Sequence, residues 1–298
     1  MTASAIGNKI PLIFDLSDHF PSSGAGYYFE LESFLGKMAT FTLEKLLRMT
    51  LKKISLTVTC SHMLQRYVKR LGIKNVQVVP NGVSKFFLDG EYDPKFIREK
   101  YDLNGVVVGY IGSIEFWLNL HPLLESVSHL AKSFDIKLLL IGSKLRTATA
   151  ENIRRKIKRL GIEKHTVWLD FIPHHEVPNY IAAMDVCTIP FNPNNPTAYY
   201  SAPNKLLEYL ALGKTVISSY IPEIILTAKD YVSLAETPED YTKIIKDYVN
   251  ESSKYLKIAE EGKKFASQFT WERMTNKYEK ILKTVLSNEN SEDILISN

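Results

Sequence analysis

What the sequence lacks excludes several classes of protein. It has only two cysteines in 298 residues, Cys60 and Cys187, so we expect neither a disulfide framework nor a cysteine-based metal cluster. No apolar run reaches the length of a transmembrane helix, and the N-terminus lacks the apolar core of a signal peptide. The net charge of +4 is too small to indicate a nucleic-acid-binding protein. We therefore expect a cytoplasmic protein with two reduced, buried cysteines.

The glycine signature of dinucleotide-binding proteins is also missing. The best approximation is Gly24-Ala-Gly26, which lies too far from the preceding strand and has Phe29 at the third glycine position. A dehydrogenase-type protein is therefore a weak hypothesis. We interpret the segment around Pro21, Gly24 and Gly26 as a flexible loop, followed by a long helix at 27–53.

Short apolar runs alternate with helical patterns along most of the chain. The predicted strands are 10–16, 56–59, 76–79, 106–111, 136–141, 166–169, 186–189 and 215–218. Apolar strands separated by helices indicate parallel sheets covered on both faces, so the predicted fold class is α/β. Residues 84–104 are predicted to be a connector with one short helix, and residues 238–287 to be helical throughout.

The most informative segment is 201–217, which combines a loop, a short helix and a strand. Asn204 is a candidate helix cap, and Gly213 ends the helix. Lys205 lies in the first turn, where the helix dipole disfavours a cation, and Glu208 follows one turn later. This arrangement suits a phosphate-ribose unit, although a surface helix with solvated charges is the alternative.

Other loops are expected to lie close to the start of this helix. Ligands of open parallel sheets bind beyond the carboxyl ends of the strands. The loops that follow the strands of the second half of the chain are 112–113, 142–144, 171–173 and 192–203. Two of them contain small residues that let backbone amides approach a phosphate, and Lys144 could add a positive charge.

Four segments, in this order and spacing, resemble a known family. They are 58–61 (V-T-C-S), 78–83 (V-V-P-N-G-V), 180–190 (Y-I-A-A-M-D-V-C-T-I-P) and 203–217 (P-N-K-L-L-E-Y-L-A-L-G-K-T-V-I). Over residues 10–285 the chain looks like the retaining nucleotide-sugar glycosyltransferases of the GT-B fold, group 1 or family 4. The resemblance implies two Rossmann-like domains across a cleft. It also implies transfer from a UDP- or GDP-sugar to a glycan or lipid-linked acceptor, without an essential metal.

The resemblance assigns roles to individual residues. Glu208 would bind the ribose hydroxyl groups, the start of its helix would hold the diphosphate, and residues 171–173 would hold the base. The predicted donor-binding residues are Gly112, Ser113, Lys144, Phe171, Ile172, Pro173, Tyr200, Ser201, Asn204, Lys205 and Glu208, and the predicted catalytic residues are Asp18, His19 and Lys205. Asp18 and His19 would orient the acceptor; the alternative for both is an ordinary turn with helix-capping residues.

The chain departs from the family pattern in three ways. Tyr200 stands where the first glutamate of an E-x₇-E motif is expected, and 115–119 (E-F-W-L-N) replaces a basic pair. Family members also have several βα units before the strand at 10–16. The domain prediction is therefore an incomplete N-terminal domain at 1–88, a nucleotide-sugar-binding domain at 89–268, and a returning helix with a polar tail at 269–298. Three explanations are open: a misplaced gene start, a second polypeptide that supplies the missing half, or a reduced relative. A half sheet would leave a strand edge exposed, so we expect something to cover it, and a protein partner is one candidate.

Two hypotheses about function remain open. The first is an active glycosyltransferase, and the second is a non-catalytic nucleotide-sugar-binding subunit whose partner supplies the missing half-domain. Two surface features also have alternatives. His174 and His175 suggest a metal only weakly, because a polar helix start explains them. The basic residues of the predicted helix at 27–53 could contact anionic lipid at the inner face of the membrane or form a solvated face; they are Lys37, Lys45, Arg48, Lys52 and Lys53.

Overall fold

The first sheet of the protein has three parallel strands in the order β1-β2-β3. The computed structural model describes residues 11–142 and 147–286. The strands are β1 (Ile13–Leu16), β2 (Leu56–Thr59) and β3 (Val76–Val78), and the connecting helices are α1 (Phe20–Gly26), α2 (Phe34–Leu51) and α3 (His62–Arg70). Within the described residues, no strand pairs with the outer edge of β1.

A larger parallel sheet of six strands follows, in the order β6-β5-β4-β7-β8-β9. Two helices, α4 (Lys85–Asp89) and α5 (Pro94–Lys100), lead into it. Its strands are β4 (Val106–Ile111), β5 (Ile136–Ile141), β6 (Thr166–Leu169), β7 (Val186–Ile189), β8 (Thr215–Ser218) and β9 (Ser233–Leu234). The strand order reverses between β4 and β7, and such a switch point opens a crevice between the loops that follow the two strands.

Helices cover both faces of this sheet. They are α6 (His121–Leu130), α7 (Ala148–Leu160), α8 (Val177–Ala183), α9 (Pro196–Tyr199), α10 (Asn204–Ala211) and α11 (Pro222–Ala228). The strands β5 and β7 are almost wholly buried, as expected for parallel strands covered on both sides. The largest hydrophobic core of the protein lies between these helices and the sheet.

Three C-terminal helices complete the described chain: α12 (Pro238–Asn250), α13 (Ser252–Ala266) and α14 (Trp271–Leu286). The last one returns to the first sheet, where Ile281 joins a small core with Val58 of β2. At the start of α14, a β-carbon added to Gly82 would lie 2.7 Å from the Trp271 backbone, so only glycine fits there. No helix among the described residues is both long and apolar enough to span a bilayer.

The α/β fold class and the helical C-terminus are confirmed, and the strands from β4 to β8 begin and end at their predicted residues. The loop predicted around Pro21 is wrong, because residues 20–26 form α1. His19 Nδ1 accepts a hydrogen bond from the Ser22 amide at 3.4 Å, and Pro21 stands in the first turn. The long helix at 27–53 is shorter than predicted, because Ser33 caps it and it begins at Phe34.

The connector at 84–104 contains two short helices instead of one. Asp93 caps the second helix by accepting the Lys95 amide at 2.8 Å, directly before Pro94. The domain boundaries at 88 and 268 remain predictions. The strands of the first sheet fall within 13–78 and those of the second within 106–234.

Candidate functional site

A cavity of about 430 Å³ lies between the two sheets, next to the switch point of β4 and β7. It is lined by the loops that follow β1, β4 and β7 and by the first turns of α10. Seven of the predicted site residues line it: Asp18, Gly112, Ser113, Ser201, Asn204, Lys205 and Glu208. The structure therefore brings together residues that lie almost 200 positions apart in the sequence.

The helix α10 is held against the end of β4 by a buried tyrosine. Tyr209 is fully buried, and its hydroxyl group accepts the Ile111 amide at 3.0 Å. This contact directs the first turn of α10 towards Gly112. The predicted Asn204 cap is wrong, since Asn204 is already helical and no side chain caps the preceding Pro203 position. Backbone amides at this helix start are thus free of a side-chain cap, which favours an anion there.

Lys205 lies in this first turn beside two aromatic rings. Its Nζ atom is 4.7 Å from the ring centre of Phe191 and 5.4 Å from that of Tyr110. Burial lowers the pKa of Lys205 to about 8, and the nearby Glu208 opposes this shift. Within the described part of the chain, no carboxylate lies within 4.0 Å of this ammonium group. A partly desolvated cation without an ion-pair partner is well suited to receive an anionic group.

Two glycines let the loops after β4 and β5 approach each other and Lys205. Gly112 has a φ of +143°, and a β-carbon there would lie 3.0 Å from Lys205 Cε. A β-carbon on Gly142 would lie 2.1 Å from the Gly112 carbonyl oxygen. The Tyr110 hydroxyl group donates to the Ser113 carbonyl at 2.8 Å and fixes the rest of the loop. Glycine at both positions therefore allows these two loops and Lys205 to pack closely at the edge of the cavity.

Glu208 faces the same cavity and has a partner that the sequence did not reveal. His174 Nε2 lies 3.1 Å from Glu208 Oε1, and the Glu208 side chain is 19% exposed. The His174 ring packs 5.6 Å from the ring centre of Phe86 and 5.4 Å from that of Phe87 in α4. The prediction of a polar helix start at His174 is confirmed, because His174–Glu176 is a 3-10 turn that leads into α8. The contact between His174 and Glu208 joins residues 34 positions apart, so no local sequence pattern indicated it.

The two predicted acceptor-side residues have different environments. Asp18 lines the cavity, and burial raises the pKa of its carboxyl group although the His19 amide donates to it at 3.2 Å. His19 is only 4% exposed and is not among the lining residues. Its ring stacks on Tyr200 at 4.7 Å and meets Tyr67 edge-on at 4.5 Å. Burial, together with Arg70, lowers the pKa of His19 to about 4, so this ring is neutral at physiological pH.

The remaining predicted donor-binding residues lie outside the cavity lining. Tyr200 packs against the first sheet, where its hydroxyl group accepts a hydrogen bond from Arg70 at 2.5 Å. The base-binding prediction falls on a surface loop, in which Phe171 is 62% exposed, Pro173 is exposed and Ile172 is half-buried. This loop leads directly into His174, which does line the cavity. Lys144 lies outside the described residues.

Several lining residues were not predicted as site residues. Asn81 donates from Nδ2 to the Ala202 carbonyl at 2.9 Å, and Thr197 Oγ1 lies 3.0 Å from Ser22 Oγ. Asn81 belongs to the segment 78–83, so its motif was a usable signal. Tyr110 and Phe191 carried no signal, because their positions in or next to apolar strands suggested only core packing. The described residues contain no group of three or more His, Cys, Asp or Glu side chains that could hold a metal ion.

Comparison with known proteins finds a family match over the larger sheet. The family model for glycosyl transferases group 1 matches residues 105–251. TuaH of Bacillus subtilis (strain 168), a glycosyltransferase assigned to teichuronic acid biosynthesis, is 26% identical over 225 residues. That alignment covers 74% of this chain and 53% of TuaH, so the chain spans about half the length of this curated relative.

Solved structures show similarity over nearly the whole chain. Anabaena HepE in complex with UDP-glucose has a TM-score of 0.76 at 18% identity, covering 92% of this chain and 72% of HepE. Its complex with UDP and glucose gives a TM-score of 0.74 at 20% identity, with 93% and 72% covered. The glycosyltransferase WaaG gives 0.65 at 13% identity, with 87% and 72% covered. At these identities the likeness shows the fold, which is the expected GT-B fold.

Proposed function

We propose that the protein transfers a sugar from a nucleotide-diphosphate sugar to an acceptor hydroxyl group, because residues 105–251 match the family model for glycosyl transferases group 1 and the chain has a GT-B fold. The observation that carries the proposal is the position of Lys205 and Glu208. Both lie on the first turns of α10 and line one cavity beside the glycine loop at 112–113. A cation that has no ion-pair partner among residues 11–142 and 147–286, with a carboxylate one turn away, matches the diphosphate and ribose of such a donor.

Each residue has a definite role in this proposal. Glu208 accepts hydrogen bonds from the ribose hydroxyl groups, while Lys205 and the first amides of α10 stabilise the leaving diphosphate. Gly112 and Ser113 let the backbone approach the phosphates, and Asn204 and Ser201 line the same wall. Charge on the diphosphate is met by these groups without a metal ion. The donor is a UDP- or GDP-sugar, and UDP-sugars come first because HepE was solved with UDP and with UDP-glucose.

The acceptor side is formed by the first sheet. Asp18 lines the cavity opposite α10 and would orient the attacking hydroxyl group of a glycan or lipid-linked acceptor. Transfer on the same face as the leaving diphosphate would retain the configuration of the sugar, with positioning as the main catalytic contribution. A catalytic role for His19 stays a prediction, because its ring is buried outside the cavity lining. We place the reaction in the cytoplasm, since both cysteines are free and buried.

Calorimetric titration of the chain with UDP, GDP and their sugar conjugates tests the donor site. We expect one nucleotide to bind and Glu208→Ala to abolish detectable binding. Glu176→Ala is the matched control, because Glu176 lies at the adjacent 3-10 turn but outside the cavity lining, with a side chain that is 46% exposed. Failure of a well-folded chain to bind any of these nucleotides would contradict the donor-site assignment.

The second candidate is a non-catalytic nucleotide-sugar-binding subunit. Two observations favour it. Tyr200, at the position of the expected first glutamate, packs outside the cavity, and the expected basic pair is replaced by a segment that begins with the acidic Glu115. A product assay with the bound sugar nucleotide separates the two candidates. If the chain catalyses transfer or hydrolysis and Lys205→Met abolishes it, the enzyme hypothesis is supported. If the chain binds the nucleotide but forms no product, the subunit hypothesis is supported, and a protein partner should be sought.

A further inference from the structure

The helix α2 exposes a broad apolar surface. Successive residues of a helix are about 100° apart, so its buried residues, Gly36, Leu47 and Leu51, define an inward face. On the opposite side, six apolar side chains are each more than half exposed; we call them the outward face of α2, and they are Phe34, Leu35, Met38, Phe41, Leu46 and Met49. A contiguous apolar surface of this kind indicates a contact with a partner or with lipid.

Positive charge accompanies this apolar surface. Residues 27–53 contain five cationic side chains, Lys37, Lys45, Arg48, Lys52 and Lys53, and three carboxylates, Glu30, Glu32 and Glu44. Glu32 pairs with Lys37 at 3.2 Å, and Glu44 is half-buried and accepts a hydrogen bond from the Tyr67 hydroxyl group at 3.1 Å. In helical projection, Lys45 and Lys52 fall within the outward face, and Lys37 and Arg48 along one side of it. Among the described residues, Lys45, Lys52 and Lys53 have no carboxylate within 4.0 Å.

A second exposed apolar group lies at the mouth of the cleft. Residues 27–29, between α1 and α2, are three exposed aromatics. The Tyr27 ring lies 5.6 Å from that of Phe116 and 6.1 Å from that of Trp117, on the second sheet's side of the cleft. Trp117 in turn lines the cleft cavity. Residues 27–29, which precede α2 in the chain, therefore contact the aromatic residues next to the place where the donor is proposed to bind.

The charges decide between possible occupants of this face. In a symmetric dimer through α2, each chain would place its cationic face against the same face of its partner, which is unfavourable. An anionic lipid surface complements both the lysines and the apolar side chains, which enter the boundary between headgroups and acyl chains. We propose that the outward face of α2 and residues 27–29 dock on an anionic bilayer and place the cleft mouth at its surface. The link to a lipid-linked acceptor rests on the proposed function; the docking itself does not.

Flotation of the full chain with phosphatidylcholine vesicles, with and without phosphatidylglycerol, tests this docking. We expect binding only to vesicles that contain the anionic lipid, and weaker binding as salt is raised. Lys45→Glu combined with Lys52→Glu should weaken binding at least about tenfold, because each change removes an attraction to the anionic surface and adds a repulsion. Phe34→Gln combined with Phe41→Gln should abolish detectable vesicle binding, and glutamine is compatible with the helix.

The matched control is Lys257→Glu with Lys264→Glu, two exposed lysines of α13. We expect this control to bind vesicles as the unmodified chain does. The proposal is overturned if binding ignores phosphatidylglycerol, if the control loses as much as the α2 variants, or if no vesicle binds. It is also overturned if sedimentation shows a dimer that the Phe34 and Phe41 changes dissolve while no vesicle binds. Nucleotide titration of the same variants keeps this result separate from the proposed function, because α2 does not line the cavity.

Discussion

At the scale of single residues, Lys205 gives the candidate site a pH dependence. Burial lowers its pKa to about 8 from an ordinary value of 10.5, so between these values the unfolded chain holds a proton that the folded chain has lost. Stability of the empty protein should therefore rise with pH across this interval as far as Lys205 contributes. Binding of a diphosphate works in the opposite direction, because it favours the charged ammonium group.

Nucleotide affinity should accordingly fall as pH rises. Between about pH 7 and about pH 9 the Lys205 ammonium group loses its proton, and we expect UDP or GDP to bind several-fold more weakly at the upper end. Lys205→Met should bind weakly at both values, because methionine keeps an unbranched apolar stem without the charge. Calorimetry at the two pH values measures the effect. An equal pH slope in the chain and in Lys205→Met would assign the dependence to another group.

His174 should act through Glu208. Its contact with Glu208 Oε1 at 3.1 Å orients the carboxylate that is proposed to hold the ribose. We expect His174→Ala to weaken nucleotide binding about three- to tenfold, the usual range for one lost hydrogen bond. His174→Gln keeps a donor and should restore part of the affinity. The telling measurement is a 2′-deoxynucleotide, whose binding should suffer less than that of the ribonucleotide; an equal loss for both would argue against a role at the ribose.

The sequence identified several site residues because they follow strands at one end of a parallel sheet. Gly112, Lys205 and Glu208 were found in this way, from the pattern of 106–111 and from the helix at 201–217. Tyr200 was different, since its direction is set by contacts with Arg70 and His19 of the other sheet. No local pattern encodes a contact between distant segments, so the departure of Tyr200 from the cavity became visible only in the structure.

At the scale of elements, strands were easier to predict than helices. The strands β4 to β8 are short apolar runs between turns, and burial on both faces leaves little freedom in their limits. The helix α1 was missed because Gly24 and Gly26 suggested flexibility. A β-carbon on Gly26 would lie 2.3 Å from the Phe116 ring, so this glycine serves a close approach between segments.

The loops after β4 and β5 should tolerate no side chain at Gly142. An added β-carbon would lie 2.1 Å from the Gly112 carbonyl oxygen, so Gly142→Ala must displace the loop that faces Lys205. We expect it to weaken nucleotide binding strongly, in addition to a loss of stability. Gly161→Ala is the control: with a φ of +67° and no atom within 4 Å, it should cost about 1 kcal/mol through backbone strain and leave binding unchanged. Titration and thermal melting of both variants separate the effects.

At the scale of the whole molecule, the motifs that resembled the family hold the two sheets together. Ser61, in the segment 58–61, donates from Oγ to the Tyr200 carbonyl at 3.0 Å. Asn81, in the segment 78–83, donates to the Ala202 carbonyl at 2.9 Å. Both acceptors lie within the four residues before α10, so these contacts fix the entry to the helix that carries Lys205 and Glu208. The sequence suggested their importance, while their physical role required the arrangement of the two sheets.

Glu223 connects α11 to the start of α3 at this interface. It is 6% exposed and accepts hydrogen bonds from the Met63 amide at 3.0 Å and from His62 Nδ1 at 2.9 Å. Glu223→Ala leaves a buried amide without a partner, and we expect it to lower the free energy of unfolding by about 1–3 kcal/mol. Lys85 and Glu272 form an exposed ion pair between α4 and α14, with side chains 65% and 63% exposed. Because water screens an exposed pair of this kind, Glu272→Ala should cost less stability than Glu223→Ala. Denaturant unfolding of both variants measures the difference, and equal losses would show that Glu223 adds nothing beyond a surface ion pair.

Because Glu223 does not line the cavity, its loss should leave nucleotide affinity nearly intact and slow transfer, which needs both sheets in register across the cleft.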